Sequence, residues 1–352
     1  MDSRDVRFEV HEGVGHVELT RPRSINALTA DMLLQLDLVL SAWATDPTVR
    51  EVLISGAGER GFCSGADVRA LRTLVISDPD RALRFFEREY ALNLLIAEYP
   101  KPVTAMMRGI TMGGGLGLAQ HASNRVAAPD LRWAMPETTI GFVPDVGVLY
   151  QLSRLPGEIG TYLALTGVTI DAPSALWAGL VDRVDAPAPR APSHCGLSAS
   201  RWWIDECFVG DDAALIAYRL ETHWFDRARA VGALLRTKSP LAVSLSLEAI
   251  RRARRLHSVA EVLAQDLALA RNLLWESDFV EGVRAQLVDK DRAPKWWHAR
   301  IEDVPRDLVL GKFAGAPLAA PEKVLSSLVL RDVVDDVIDD DWRMIAHPLL
   351  AG

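Results

Sequence analysis

The stretch from Gly109 to Gly147, in which GITMGGGLG is followed about twenty residues later by MPETTIGFVPDVG, constrains this chain more than any other. A glycine run that opens a helical pattern lets the backbone approach a ligand closely, and the free N–H groups of a helix start favour negative charge. The second half carries two acids, Glu137 and Asp145, in a loop otherwise short of charge. Donors for an oxyanion followed by two carboxylates are the equipment for polarising a carbonyl and moving protons, or attacking, beside it. The pattern predicts an enzyme built around this segment.

A second loop, FCSGADV (62–68), also puts small residues just ahead of a helix. Together the two loops are expected to aim the N–H groups of Ala66 and Gly114 at one oxygen. Rival glycine motifs fail: GGGLGL lacks the last glycine of GxGxxG, no GxxxxGK[ST] occurs, and Ser64 is not in a GxSxG context. Plainer readings stand beside the functional ones. Either loop alone is a tight turn, Glu137 a helix-start carboxylate, and Asp145 a cap for a helix from Gly147. Cys63 reads as a small packed residue rather than a nucleophile. Arg251, Arg252, Arg254 and Arg255 read as a solvated helix face rather than a phosphate site.

Along the chain, Val6, Phe8 and Val10, then Val17 and Leu19, alternate with polar residues about a turn at Glu12-Gly13 and predict a hairpin. Thr29 caps a helix with Met32, Leu33, Leu36, Leu40 and Trp43 on one face. Further strands are expected at 49–56, 103–107 and 126–128. Asp67 falls in the first turn of one helix, a long helix runs from about Pro79 to Glu98, and the glycine run opens another to about Ser123. Strand, strand, helix, then repeat: the order predicts an α/β (α+β) fold of stacked ββα units rather than a doubly wound sheet. Beyond Gly147 helices are expected at 147–155, 157–166, 172–178, 211–236, 240–256 and 258–276. The Pro-, Ala- and Ser-rich stretch 185–200 reads as a surface loop, and the acidic run 332–342 as a solvated end.

Composition bounds the rest. The 352 residues suffice for a full core, and a net charge of −8 argues against nucleic-acid or anionic-membrane partners. Three widely spaced cysteines form neither a disulfide framework nor a zinc pattern, so no metal is expected. MDSRDVRFEV lacks a basic region followed by an apolar core, and no apolar run is long enough to span a membrane; the expectation is a cytoplasmic protein.

FCSGADV, GITMGGGLG and MPETTIGFVPDVG resemble the enoyl-CoA hydratase/isomerase (crotonase) superfamily, and in particular its 3-hydroxyisobutyryl-CoA hydrolase branch. SINALT (24–29), FFEREY (85–90), LALTG (163–167), IDECF (204–208), KSP (238–240) and DFVEGVRAQLVDKDRAPKW (278–296) extend the likeness over roughly residues 6–305. The resemblance implies a crotonase-like spiral core over 1–200, a helical region over 201–310 and a tail over 311–352. It implies a CoA thioester substrate with no separate cofactor, its carbonyl between the N–H groups of Ala66 and Gly114. It implies Glu137 as the acid acting at the carbonyl, Asp145 and Glu89 as binders of a 3-hydroxyl, and Arg23, Ala27, Asp67 and Val68 near the CoA. Trimers or hexamers are common in the superfamily. Hydratases carry a glutamate where this chain has Gly117, and the branch follows the equivalent of Gly147 with two glycines where this chain has Val148 and Leu149. The expected activity is hydrolysis of a short branched 3-hydroxyacyl-CoA in valine breakdown. The alternatives are an enoyl-CoA hydratase or isomerase using Glu137 with another group, and a non-catalytic acyl-CoA-binding protein.

Overall fold

Alternation of apolar and polar residues in the first twenty positions builds the expected hairpin. β1 (Val6–His11) pairs antiparallel with β2 (Val14–Leu19), with Glu12 and Gly13 left-handed in the turn between them. The computed structural model describes residues 5–185 and 195–315. Helix α1 (Ala30–Thr45) starts where Thr29 accepts a hydrogen bond from the Met32 N–H, and it buries Met32, Leu33, Leu36, Leu40 and Trp43 as its 3.6-residue pattern requires. β3 (Glu51–Gly56), α2 (Val68–Ser77), α3 (Pro79–Ala97), β4 (Val103–Met107), β5 (Ile110–Met112), α4 (Gly114–Ala119), β6 (Asn124–Ala127) and β7 (Arg132–Ala134) follow. After them come α5 (Leu149–Leu152), α6 (Ile159–Thr166), β8 (Ile170–Asp171), α7 (Ala172–Ala178) and β9 (Arg183–Val184).

The strands fall into two sheets, ordered β1-β2-β3-β4-β6-β9 and β5-β7-β8. From β2 onward the larger sheet is parallel and grows in one direction, because each turn of the chain lays its new strand on the outer side of the last. Strand order never reverses, so the sheet has no switch-point crevice of the doubly wound kind. The expected stack of ββα turns is therefore present.

The C-terminal half is helical: α8 (Gly196–Cys207), α9 (Ala213–Thr222), α10 (Asp226–Leu235), α11 (Pro240–Ala253), α12 (Val259–Leu273), α13 (Ser277–Val283) and α14 (Arg306–Gly311). α12 packs on α3 and α13 on α2, which draws this half over the spiral.

Several boundaries differ from expectation. The helix expected over 211–236 breaks at His223–Phe225, where His223 is extended and its Nδ1 accepts from the Phe225 N–H at 3.0 Å. Arg229 secures the break by donating to the carbonyls of His223 and Trp224. The helix from the glycine run stops at Ala119 rather than Ser123, and Gln120 turns its amide to Leu180 O and Trp133 instead. The helix expected over 147–155 shrinks to Leu149–Leu152, because Val146 and Gly147 are left-handed. A boundary at 200/201 cuts α8. Most of the 185–200 stretch and the acidic run 332–342 lie outside the described residues.

Candidate active site

Three peptide strands running side by side set the position of the Ala66 N–H. The Leu28 N–H donates to Gly65 O and the Asp67 N–H to Leu28 O, both at 2.8 Å, while Cys63 pairs with the strand that holds Ile110 and Met112. The flanking groups are consumed, and the N–H between them faces the start of α4. A Cβ built on Gly114 would lie 3.3 Å from the Ala66 nitrogen, so the two N–H groups are neighbours as expected. Neither has a hydrogen-bond partner among the described residues. Gly113, with φ +52°, turns the chain into α4, and Gly114 leaves room where any Cβ would run into Glu89 Oε1.

These N–H groups open into a cavity of about 260 Å³ lined on one side by Glu89, Glu137 and Asp145. The acids come from three elements: Glu89 from α3, Glu137 from the first turn of a 3-10 helix (Glu137–Ile140), and Asp145 from the loop before α5. Phe86, Phe142 and Phe279 form the apolar wall, with Phe86 stacked on Phe142 at 5.3 Å and Phe142 edge-on to Phe279 at 5.8 Å. Val68 and Leu71 of α2 complete the rim, together with Gln286 and Leu287 from a π-helical turn (Arg284–Val288). Arg69 and Arg72 of α2 hold this roof by donating to Leu287 O and Val280 O.

The acids have almost nothing to offset their charge. Burial pushes the Glu89 and Glu137 carboxyls well above the usual glutamate range, and Asp145 adds to both. Asp145 is raised to about 7 by burial, against which the Tyr90 hydroxyl works by donating to its Oδ2 at 2.6 Å. Glu89 Oε1 and Glu137 Oε2 are buried without a hydrogen-bond partner. Asp145, raised to about 7, can change protonation near neutral pH, which suits proton transfer.

Other expectations resolve differently. Asp145 is not a side-chain cap; it faces the cavity, and α5 begins four residues later. Burial lifts the Cys63 thiol to about 12, which removes it as a nucleophile. Asp67 caps α2 through the Ala70 N–H and pairs with Arg21 at 3.3 Å. Val68 lines the cavity, Ala27 is buried, and Arg23 is exposed in the turn Pro22–Ser24, outside the lining. A Cβ at Gly117 would sit 2.6 Å from Asn93 Nδ2, so any side chain there would need the Asn93 side chain to give way.

Tyr90, within FFEREY, gives no sign of this role in the sequence, because a phenol reads as core until its partner is known. The same holds for Asp266 of α12, which is wholly buried and whose Oδ2 accepts from the Gly147 N–H at 2.8 Å. Neither has a local signal.

Comparison with known proteins agrees with this geometry. The family model described as enoyl-CoA hydratase/isomerase matches residues 14–187 and 182–313. A Danio rerio protein named 3-hydroxyisobutyryl-CoA hydrolase, mitochondrial, is 33% identical over 94% of this chain and 91% of its own. Two solved structures superpose with a TM-score of 0.84. One, titled a carnitinyl-CoA dehydratase from Mycobacterium thermoresistibile, is 39% identical over 89% of this chain and 97% of its own. The other, titled an enoyl-CoA hydratase from Rhodobacter sphaeroides 2.4.1, is 35% identical over 90% and 98%. The chain belongs to the enoyl-CoA hydratase/isomerase family and resembles its 3-hydroxyisobutyryl-CoA hydrolase branch.

Proposed function

We propose that the protein hydrolyses the CoA thioester of a short branched 3-hydroxy acid, of the 3-hydroxyisobutyryl type, in valine breakdown. The observation that carries this reading is the meeting, around one cavity, of two N–H groups without partners among the described residues and three buried carboxyls, two of them with an unpartnered oxygen. The thioester oxygen sits between Ala66 N–H and Gly114 N–H. Water bonds to the acyl carbon as its proton passes to Glu137, and the carbonyl π pair moves onto the held oxygen. Collapse breaks the C–S bond, and the sulfur takes the proton back from Glu137. A direct attack by Glu137 gives instead a mixed anhydride that water opens, and hydroxylamine trapping of acyl-Glu137 distinguishes the two routes. Each backbone donor to such an oxyanion contributes about 3 kcal/mol to the transition state.

Asp145 and Glu89 take the 3-hydroxyl. Val68 at the cavity wall, Asp67 at the start of α2, and Arg23 and Ala27 in and beside the Pro22–Ser24 turn take the CoA portion, Arg23 meeting its phosphates.

The hydratase reading draws on the titles of the two superposable structures. Against it stands Gly117, whose side-chain space Asn93 fills, leaving Glu137 without the acid that hydratases carry there. A panel of CoA esters tests the choice. Thiol release from 3-hydroxyisobutyryl-CoA well above that from isobutyryl-CoA, with the excess lost in Asp145→Ala, is expected. Hydration of crotonyl-CoA with no thiol release from any hydroxyacyl ester would transfer the protein to the hydratases, and binding without turnover would make it a non-catalytic acyl-CoA binder.

A further inference from the structure

Val146 has φ +53°, a left-handed backbone that costs a β-branched residue about 1–3 kcal/mol and persists only where the surroundings hold it. It follows directly on Asp145, and its side chain is fully buried. Two side chains from distant elements grip the peptide group between Val146 and Gly147. At one end the Val146 carbonyl accepts from His121 Nε2–H at 2.7 Å, and at the other the Gly147 N–H donates to Asp266 Oδ2 at 2.8 Å. The C=O and N–H of a trans peptide point to opposite sides, so the two grips oppose each other and fix the plane. Neither His121 nor Asp266 lines the cavity.

His121 is built to be a donor here. Burial lowers its pKa to about 4, so the ring is neutral, and its Nδ1 lies 3.3 Å from the Gln151 amide nitrogen, which donates to it. Asp266 needs only an oxygen for its part. Its carboxyl is wholly buried, with Oδ1 unpartnered, and burial keeps the group protonated well above the usual aspartate range. The Asp145 side chain is held separately by Tyr90. The Asp145 side chain and the Val146-Gly147 peptide just after it are therefore secured from different directions.

We propose that His121 and Asp266 are positioning residues that hold the Val146-Gly147 peptide in its strained form and thereby aim the Asp145 carboxylate at the substrate 3-hydroxyl. What Asp145 recognises rests on the hydrolase reading; the grip itself does not. The test is thiol release from 3-hydroxyisobutyryl-CoA and isobutyryl-CoA by Asp266→Ala, Asp266→Asn, His121→Ala and His121→Gln, each with its melting temperature. A carboxylate displaced by an ångström loses about 10- to 100-fold on the hydroxy ester. Both alanine variants should therefore shrink the hydroxy-to-plain ratio of kcat/KM by that factor. Asp266→Asn and His121→Gln, which keep the oxygen and the N–H respectively, should stay within about 3-fold of the unaltered protein.

Simple loss of stability moves both substrates alike, so an unchanged ratio in the alanine variants overturns the proposal, as does an asparagine variant as poor as the alanine one. Where the alanine variants fail to fold, hydrogen exchange at the Gly147 amide of the unaltered protein decides: protection supports the grip, and free exchange ends it. If the unaltered protein releases no thiol from either ester, the hydrolase reading fails, and that same amide still decides the grip.

Discussion

Two of the clusters of ionisable side chains among the described residues are treated in opposite ways. Around Arg251 of α11 every donor has an acceptor. Its guanidinium meets Glu158 at 2.8 Å, Thr161 at 3.0 Å, Asp211 at 3.2 Å and the carbonyls of Phe208 and Gly210 at 2.9 Å. Around the cavity the Tyr90 phenol donates to Asp145 alone, Glu89 and Glu137 each keep an unpartnered oxygen, and mutual repulsion adds to the cost of burial. A buried charge with complementary partners ties helices together; buried acids without them are an expense the fold bears for chemistry. From the sequence the arginine run read as a solvated helix face and the acids as groups for proton transfer. Only compensation separates them: Arg251 is saturated, and Arg252 is occupied by Glu248 at 2.6 Å and by the ring of Phe313.

The largest effect should come from the uncompensated cluster. Glu137→Gln removes the group that activates water or attacks, and thiol release should fall by ~10²- to 10⁴-fold on hydroxy and plain esters alike. Its melting temperature should not fall, since an amide takes the place of a buried, unpaired acid. A melting temperature that drops with activity would make Glu137 a structural acid and erase the contrast.

Arg251→Met probes the other cluster. It leaves Glu158 without its cation in a half-buried setting, and unfolding should become easier by ~2–4 kcal/mol in a denaturant titration. Turnover per folded molecule should be unchanged. An activity loss at full stability would make Arg251 a binding residue instead.

Tyr90→Phe deletes the hydroxyl that donates to Asp145. A hydrogen bond to a charged group contributes ~1.5–3 kcal/mol, so kcat/KM on the hydroxy ester should drop by about 10-fold or somewhat more, with a smaller change on the plain ester. Equal losses on the two esters would show that the phenol supports packing rather than Asp145.

The smallest effect is on stability against pH. In the folded protein Asp145 holds its proton up to about 7, against 3.8 for an ordinary aspartate. Between those values the unfolded chain has released a proton that the folded chain keeps, so stability declines as pH climbs from about 4 to about 7. Asp145→Asn removes that decline. Its melting temperature should match the unaltered protein near pH 4 and exceed it by ~2 °C or more at pH 8. A gain that is greatest at pH 4 would mean that Asp145 is compensated after all.

Much of this was readable beforehand because the patterns are local. The hairpin of β1 and β2, the buried face of α1 and the helix over 172–178 follow from spacing along a few turns of chain, and the two glycine-bearing loops announce backbone that must come close to something. Glu137 and Asp145 stood out as the charges in a loop otherwise short of them. What local pattern could not decide was pairing. Tyr90 meets Asp145 across 55 residues, and Asp266 meets the Gly147 amide across 119. His223 breaks a helix through a bond to the backbone two residues on, supported by Arg229, and Asn93 occupies the space beside Gly117. Residue type and spacing determined which groups were available and which elements would carry them. Whether a given acid is buried, offset or left bare depends on which faces those elements bring together, and that was decided by the packing of α3, α12 and the 145–147 turn.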